Sequence, residues 1–152
     1  MKLTGAWTRT EIDDFLTTTV PVRLSCRTPE DRLWMLSLWY LWEDDALWCA
    51  TGKSADVVRY LEHRDEVAFE VSTNDPPYRG VRGRGHATID EDEDKTLLRR
   101  LLRRYLGGTD SALAARLLDP ERDEVRIRID PARLHSWDYS ARMDDSARKD
   151  DC

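Results

Sequence analysis

The chain has 152 residues, a length that suits a single domain with one hydrophobic core. Hydrophobic residues make up 40% and charged residues 36% of it, which excludes a wholly disordered chain, and no apolar run reaches the roughly 20 residues of a membrane span. The net charge of −6 disfavours binding to the phosphate backbone of a nucleic acid. No apolar segment typical of a secretory leader follows Met1, so we expect a cytoplasmic protein.

The first part of the chain predicts a short helix, a strand and a turn. Thr10 and Asp13 have the spacing of a capping box, which predicts a helix over Thr10–Thr17. Residues Val20–Cys26 alternate between apolar and polar side chains and predict a strand, which a turn at 28–31 ends. The apolar face of the helix contains Ile12, Phe15 and Leu16.

The segment Arg32–Trp42 predicts a strand with two apolar faces. The odd-numbered residues from Leu33 to Leu41 point to one face, and the even-numbered residues from Trp34 to Trp42 point to the other. A domain of this size covers one face with its own core, so we expect the other face to meet a second subunit or an aromatic cofactor. We therefore predict a homodimer; the alternative is that a later helix, residues 91–106, covers the second face within one chain.

The rest of the chain alternates strands and helices without an internal repeat. Glu43–Asp45 predicts a hairpin turn, and three glycines within Arg79–Asp90 predict a strand with a bulge or a close backbone approach. Pro131 is expected to end the strand before it. We expect one domain over residues 1–140 and a charged, flexible tail over 141–152. The further strands are predicted at Ala46–Ala50, Glu66–Ser72, Glu124–Asp130 and Arg133–Tyr139, and the helices at Ala55–His63, Glu91–Leu106 and Ser111–Leu118.

The tetrapeptide Thr51-Gly52-Lys53-Ser54 connects a predicted strand to a predicted helix. It offers a lysine, two hydroxyl groups and free amide N–H groups, an arrangement that suits a phosphate group. It is not a P-loop, because Leu47 occupies the position of that motif's first glycine. The alternative is an ordinary strand-to-helix connection in which Ser54 caps the helix.

Other motifs with known chemistry do not fit. The glycines of Gly80–Gly85 lack the third glycine of a dinucleotide fingerprint, because Thr88 stands in its place. The arginines of Arg99–Arg104 follow an acidic run and predict a solvated helix face. The three cysteines form no C-x-x-C pair, so neither a disulfide framework nor a metal site is predicted.

Arginine supplies 20 of the 24 basic residues and aspartate 20 of the 30 acidic ones, which favours a halophilic source, with a GC-rich genome as the alternative.

The order of these segments, rather than any single tetrapeptide, has a known counterpart. The series consists of Val20–Ser25, the aromatic strand ending at Trp39–Trp42, Leu47–Ser54, a helix containing Val58–Leu61, the strand Val67–Val71, and Tyr78–Ala87. It resembles the pyridoxamine 5′-phosphate oxidase-like, FMN-binding split-barrel family over positions 20–140.

The resemblance implies a mainly β fold with flanking helices: a six-stranded antiparallel split barrel that forms a homodimer with two flavin sites at the subunit interface. The chain lacks the C-terminal extension of true pyridoxamine phosphate oxidases, so oxidation of pyridoxamine phosphate is not implied. Trp137 is the aromatic residue expected to reach across from the partner chain. The remaining implied cofactor-binding residues are Ser37, Leu38, Trp39 and Tyr40 along the isoalloxazine ring, and Thr51, Lys53 and Ser54 at the FMN phosphate.

We therefore predict an FMN-dependent oxidoreductase that acts on a small molecule. The cofactor supplies the hydride chemistry, so no catalytic residue is assigned. The deazaflavin F420 is the rival cofactor, because related split barrels bind it and its phosphate would use the same basic residues. A second hypothesis is a non-enzymatic protein that binds flavin or haem. Three histidines are the candidates for a haem ligand, with His86 the most plausible: His63, His86 and His135.

Overall fold

The computed structural model describes residues 1–144 as eight strands and four α-helices. The strands are β1 (Lys2–Gly5), β2 (Val22–Arg27), β3 (Leu33–Leu38), β4 (Leu41–Glu43), β5 (Ala46–Gly52), β6 (Glu66–Ser72), β7 (Arg79–Glu91) and β8 (Glu124–Asp138). The helices are α1 (Arg9–Phe15), α2 (Asp56–His63), α3 (Thr96–Leu106) and α4 (Ala112–Leu117), and a short 3-10 helix at Glu93–Lys95 precedes α3. None of these helices in residues 1–144 is long and apolar enough to cross a membrane.

All the strands belong to one sheet in the order β3-β2-β6-β7-β8-β5-β4, and β1 pairs with β8 in parallel. The predicted class, mainly β and antiparallel with flanking helices, is confirmed, although the sheet has eight strands rather than six. The two end strands, β3 and β4, are consecutive in the chain and only Trp39 and Tyr40 separate them. The sheet therefore has to curl until its two ends approach, which is the geometry of a split barrel.

The buried side chains come from the alternate positions that the sequence pattern indicates. Val67, Phe69 and Val71 of β6 are all buried, as are the three apolar residues of the α1 face. The hairpin between β4 and β5 is also confirmed. Its two central residues, Asp44 and Asp45, have φ values of 53° and 58°. Aspartate tolerates this left-handed conformation better than most residues.

The predicted strand Arg32–Trp42 is interrupted, and this prediction is wrong at Trp39–Tyr40. Tyr40 turns completely into the core, where its hydroxyl group donates to the backbone oxygens of Leu16 (3.0 Å) and Thr18 (3.3 Å). On β3 one face packs against the core, whereas Leu33 and Met35 on the other face are 74% and 63% exposed. Helix α3 packs against β5 and leaves this face open, so the single-chain alternative is also wrong.

The prediction that Pro131 ends a strand is wrong. Strand β8 runs without a break from Glu124 to Asp138. Gly85 of β7 faces Pro131, and the register shifts between Arg84 and Gly85. A proline without an N–H group is tolerated where a bulge interrupts the hydrogen-bond ladder. The close approach predicted for the glycine strand is confirmed, since a Cβ on Gly85 would lie 2.1 Å from the Asp130 oxygen.

Two predicted helix starts are wrong by a few residues. The capping box of α1 is formed by Thr8 and Glu11, with Thr8 N–H donating to the Glu11 carboxylate (2.7 Å). Helix α3 begins at Thr96 rather than at residue 91, and the Asp92 carboxylate accepts hydrogen bonds from its first amides. The predicted tail lies partly at 145–152, outside the described residues. Within the described part, Met143 N–H donates to the Tyr139 oxygen (2.9 Å).

Candidate cofactor-binding site

Two adjoining clefts lie where β5 ends. The first, which we call the phosphate cleft, has a volume of about 660 Å³ and lies between residues 51–55 and the loop residues 121–123. The second, the Trp39 cleft, has a volume of about 320 Å³ and lies between residues 37–39 and helix α3. Both clefts are lined by Thr51, Gly52 and Arg122, so together they form one continuous depression.

The depression brings together six of the eight residues expected to bind a cofactor. Tyr40 and Trp137 are the two exceptions. The Tyr40 side chain lies in the core and its backbone N–H donates to the Tyr105 hydroxyl (3.3 Å). Trp137 pairs with Gly80 at the far end of β8 from Glu124, which pairs with Gly52. Since thirteen residues of extended strand span roughly 40 Å, Trp137 lies far from the Glu124 end of β8. The six residues lining the depression are Ser37, Leu38, Trp39, Thr51, Lys53 and Ser54.

Lys53 is the lysine of the phosphate cleft, and it is paired with an acid. Its Nζ lies 2.9 Å from Oε1 of Glu91, and both side chains are more than half exposed. The hydrogen bond that Lys53 donates to Glu91 and the charge of that carboxylate, with smaller effects of Asp123 and Glu62, raise the pKa of Lys53, so the amine is charged at neutral pH. An exposed ion pair of this kind is weak, so an anionic ligand can displace Glu91.

The amide groups of the phosphate cleft are only partly available. Lys53 N–H donates to the Asp123 oxygen (2.8 Å) and Ala55 N–H to the Gly52 oxygen (3.0 Å), contrary to the expectation that these amides are free. Ser54 does not cap α2; its N-cap is Ala55, which makes no side-chain hydrogen bond. Within residues 1–144 the Ser54 hydroxyl has no protein partner. Two of these amides are therefore engaged, and charged and hydroxyl side chains supply most of the polar groups left for a ligand.

The Trp39 cleft is aromatic and aliphatic. The Trp39 ring stacks on Tyr105 with a centroid distance of 5.2 Å and an interplanar angle of 8°. Leu98 and Leu101 of α3, both buried, also line the cleft, and Trp39 packs against the cluster that contains Leu98. A flat aromatic ligand can pack against such an aromatic and aliphatic lining, so this cleft suits the ring part of a cofactor.

Comparison with known proteins identifies the family. The sequence profile of pyridoxamine 5′-phosphate oxidase matches residues 8–143. The chain belongs to the pyridoxamine 5′-phosphate oxidase family. No curated protein sequence matches it. The resemblance read from the order of the segments is thereby confirmed, and so is the split-barrel class.

Solved structures of this family's fold superimpose over most of the chain. A conserved hypothetical protein from Mycobacterium tuberculosis, Rv2991, is 25% identical with a TM-score of 0.71, covering 88% of this chain and 86% of that one. An F420 reductase is 22% identical with a TM-score of 0.67, covering 80% and 94%. The haem storage protein HutZ from Vibrio cholerae is 16% identical with a TM-score of 0.62, covering 88% and 94%. The last two show a shared fold alone.

None of the three histidines of this family member lines either cleft. His63 is the exposed last residue of α2, and His86 Nδ1 lies 3.2 Å from the Asp65 carboxylate on the surface. His135 Nδ1 lies 2.9 Å from the Thr4 hydroxyl. No histidine lines the Trp39 cleft or the phosphate cleft, so the geometry does not favour haem binding there.

The loop before β8 contributes site residues that the sequence reasoning missed. Arg122 Nη2 donates to Oε1 of Glu124 at 3.1 Å, and the Glu124 side chain is 1% exposed. Burial raises the pKa of Glu124, an effect that Arg122 partly offsets. Glu121 and Asp123 line the phosphate cleft beside them. The available sequence signal was the charged run immediately before an alternating strand, but only the pairing of β5 with β8 places that run at the cleft.

Proposed function

We propose that this member of the pyridoxamine 5′-phosphate oxidase family is an FMN-binding oxidoreductase that acts on a small molecule. The observation that supports it best is the adjoining pair of clefts at the end of β5. FMN joins a flat aromatic ring to a phosphate through a ribityl chain, so its site needs an apolar part and a polar part. The Trp39 cleft and the phosphate cleft supply these two environments side by side, and each has a volume typical of a small-molecule site.

The residues present fit this cofactor. Trp39 and the α3 leucines would hold the ring, while Lys53 and the hydroxyls of Thr51 and Ser54 would hold the phosphate. FMN supplies the hydride chemistry when bound, and the protein's part is to bind and orient it. No side chain of either cleft is proposed as a catalytic acid or base.

FMN is favoured over F420 because of the acids around the phosphate cleft. Glu121 and Asp123 line this cleft, and Glu91 forms an ion pair with Lys53. F420 continues beyond its phosphate into a tail of glutamates, whose carboxylates would meet these acids. Like charges repel each other, so the tail of F420 would add carboxylate repulsion to that of the phosphate, whereas FMN brings the phosphate alone.

A titration with FMN and with F420 tests the proposal. FMN should quench the tryptophan fluorescence of the protein, and Trp39→Ala should weaken FMN binding roughly two- to tenfold because a stacking partner is lost. The matched control is Trp48→Ala, since Trp48 lies on β5 outside both clefts and its indole N–H donates to the Glu43 oxygen. A protein that binds F420 but not FMN would support the alternative cofactor. Binding of neither would refute the flavoprotein proposal.

We also propose that the protein is a homodimer. The support is the face of β3 on which Leu33 and Met35 are largely exposed, because isolated chains seldom leave large side chains of an edge strand in water. In such a dimer Trp137, which is remote from the clefts of its own protomer, would reach the site of the partner.

Sedimentation should show a species of twice 17.7 kDa. Met35→Asp should weaken the dimer roughly tenfold or more, because a charge would be buried in the interface. Leu113→Asp, on the exposed face of α4, should leave the dimer intact and serves as the control. A single species of 17.7 kDa at micromolar concentration would contradict the dimer.

A further inference from the structure

We propose that Arg122 is the second cation of the phosphate subsite and that the buried carboxylate of Glu124 positions it. The inference rests on the proposed binding of FMN and adds a residue to that site. The ligand group concerned is the terminal phosphate of the cofactor.

Arg122 lies where the two clefts meet. Of the residues 1–144, it is the only charged one that lines both clefts. Its backbone N–H donates to the Asp119 oxygen (3.0 Å), which fixes the turn from which the side chain extends. A ligand whose ring occupies one cleft and whose phosphate occupies the other must therefore pass the Arg122 guanidinium.

Glu124 holds this guanidinium by one edge. The Arg122 side chain is 43% exposed, whereas that of Glu124 is 1% exposed, so the pair has a buried end and an open end. A guanidinium has five N–H donors, and within residues 1–144 the Arg122 side chain donates only to Glu124. The remaining donors are available. The contact with the buried carboxylate already limits the motion of the Arg122 side chain, so less conformational entropy is lost when a phosphate binds.

Gly52 makes room for the same group. A Cβ built on Gly52 would lie 3.3 Å from Arg122 Nη2, and no other atom outside its chain neighbours lies within 4 Å. The φ angle of Gly52 is not in the left-handed region, so the backbone does not require glycine there. A side chain at this position would therefore meet the Arg122 guanidinium first.

The charge balance of the cleft also favours a second cation for a phosphate. A phosphate monoester carries nearly two negative charges at neutral pH. Lys53 supplies one positive charge and is shared with Glu91, while Glu121 and Asp123 line the same cleft. Arg122, with its planar donors directed along one edge, is the residue type best suited to bind two phosphate oxygens.

The test compares FMN with riboflavin, which lacks the phosphate, at fixed ionic strength. Arg122→Gln should lower FMN affinity roughly tenfold and change riboflavin affinity less than about twofold. Arg122→Lys keeps the positive charge, so its FMN affinity should fall less than that of Arg122→Gln. Because Arg122→Gln leaves Glu124 without its counter-charge, the double variant Arg122→Gln/Glu124→Gln, which has no unpaired buried carboxylate, is measured beside it. The control is Arg64→Gln, a surface arginine paired with Asp31 at the other end of α2.

Gly52→Ala gives an independent arm. The added methyl group should displace the guanidinium by a few tenths of an ångström and lower FMN affinity about threefold, with a smaller change for riboflavin. Gly108→Ala, where nothing lies within 4 Å, is the matched control. Unchanged FMN affinity in Arg122→Gln, or equal losses for both flavins, would overturn the inference alone. A wild-type protein that binds neither flavin would overturn the proposed function and this inference with it.

Discussion

Replacing Lys53 with alanine should lower the affinity for FMN roughly ten- to hundredfold, because a charge-assisted hydrogen bond to the phosphate is lost. Riboflavin affinity should change little. The fold should survive, because the Lys53 side chain is 57% exposed and its one ion pair lies at the surface. Titration of both flavins by fluorescence at fixed ionic strength measures the contrast.

The neighbouring acid provides a second measurement at the same position. Glu91→Gln removes the carboxylate that forms an ion pair with Lys53, so FMN affinity should rise. This increase in affinity should be smaller in high salt. Lys2→Ala, in strand β1 and outside the lining of both clefts, should change the affinity for neither flavin. Equal losses of FMN and riboflavin in Lys53→Ala would remove the lysine from the phosphate subsite.

Asp92→Ala should lower the free energy of unfolding by about 3–5 kcal/mol, because a buried hydrogen-bonded charge is removed from its partners. The Asp92 carboxylate accepts from Leu97 N–H, Leu98 N–H and Arg126 Nε–H, each at 3.0 Å. Its side chain is fully buried, whereas that of Arg126 is 34% exposed. The substitution would leave two amides of the first turn of α3 buried without an acceptor.

Urea unfolding measures this loss, with Glu93→Ala as the control. Glu93 is exposed, and the hydrogen bond that it accepts from Thr96 goes to its backbone oxygen, so its side chain should contribute less than about 0.5 kcal/mol. FMN binding should weaken in Asp92→Ala as well, because α3 forms one wall of the Trp39 cleft. A loss of less than about 1 kcal/mol would show that the α3 amides find other partners.

The elements with a strong local pattern were predictable from the sequence. The alternation of Val67, Phe69 and Val71 depends only on the twofold period of a strand, and the structure buries all of them. The Asp44–Asp45 turn was recognisable because aspartate tolerates a positive φ angle. The glycines of β7 were recognisable because they have no side chain where the backbone of a neighbouring strand approaches closely. The order of such segments along the chain was also sufficient to identify the family.

The departures from prediction occur where distant residues decide the outcome. Tyr40 leaves the pattern of its strand because the oxygens of Leu16 and Thr18 accept its buried hydroxyl group. Pro131 stays within β8 because the bulge opposite Gly85 removes the need for its N–H group. The start of α3 depends on a buried carboxylate, which local periodicity does not report.

The same distinction applies to the candidate site. By itself the sequence determined which residue types stand at the end of β5: a lysine, two hydroxyls and a glycine before a helix. Only the tertiary structure decided that Arg122 and Glu124 join them, because the pairing of Gly52 with Glu124 brings together segments about 70 residues apart in the chain. A charged loop has no periodicity of its own, so its place is set by the strands on either side and by the register in which they pair.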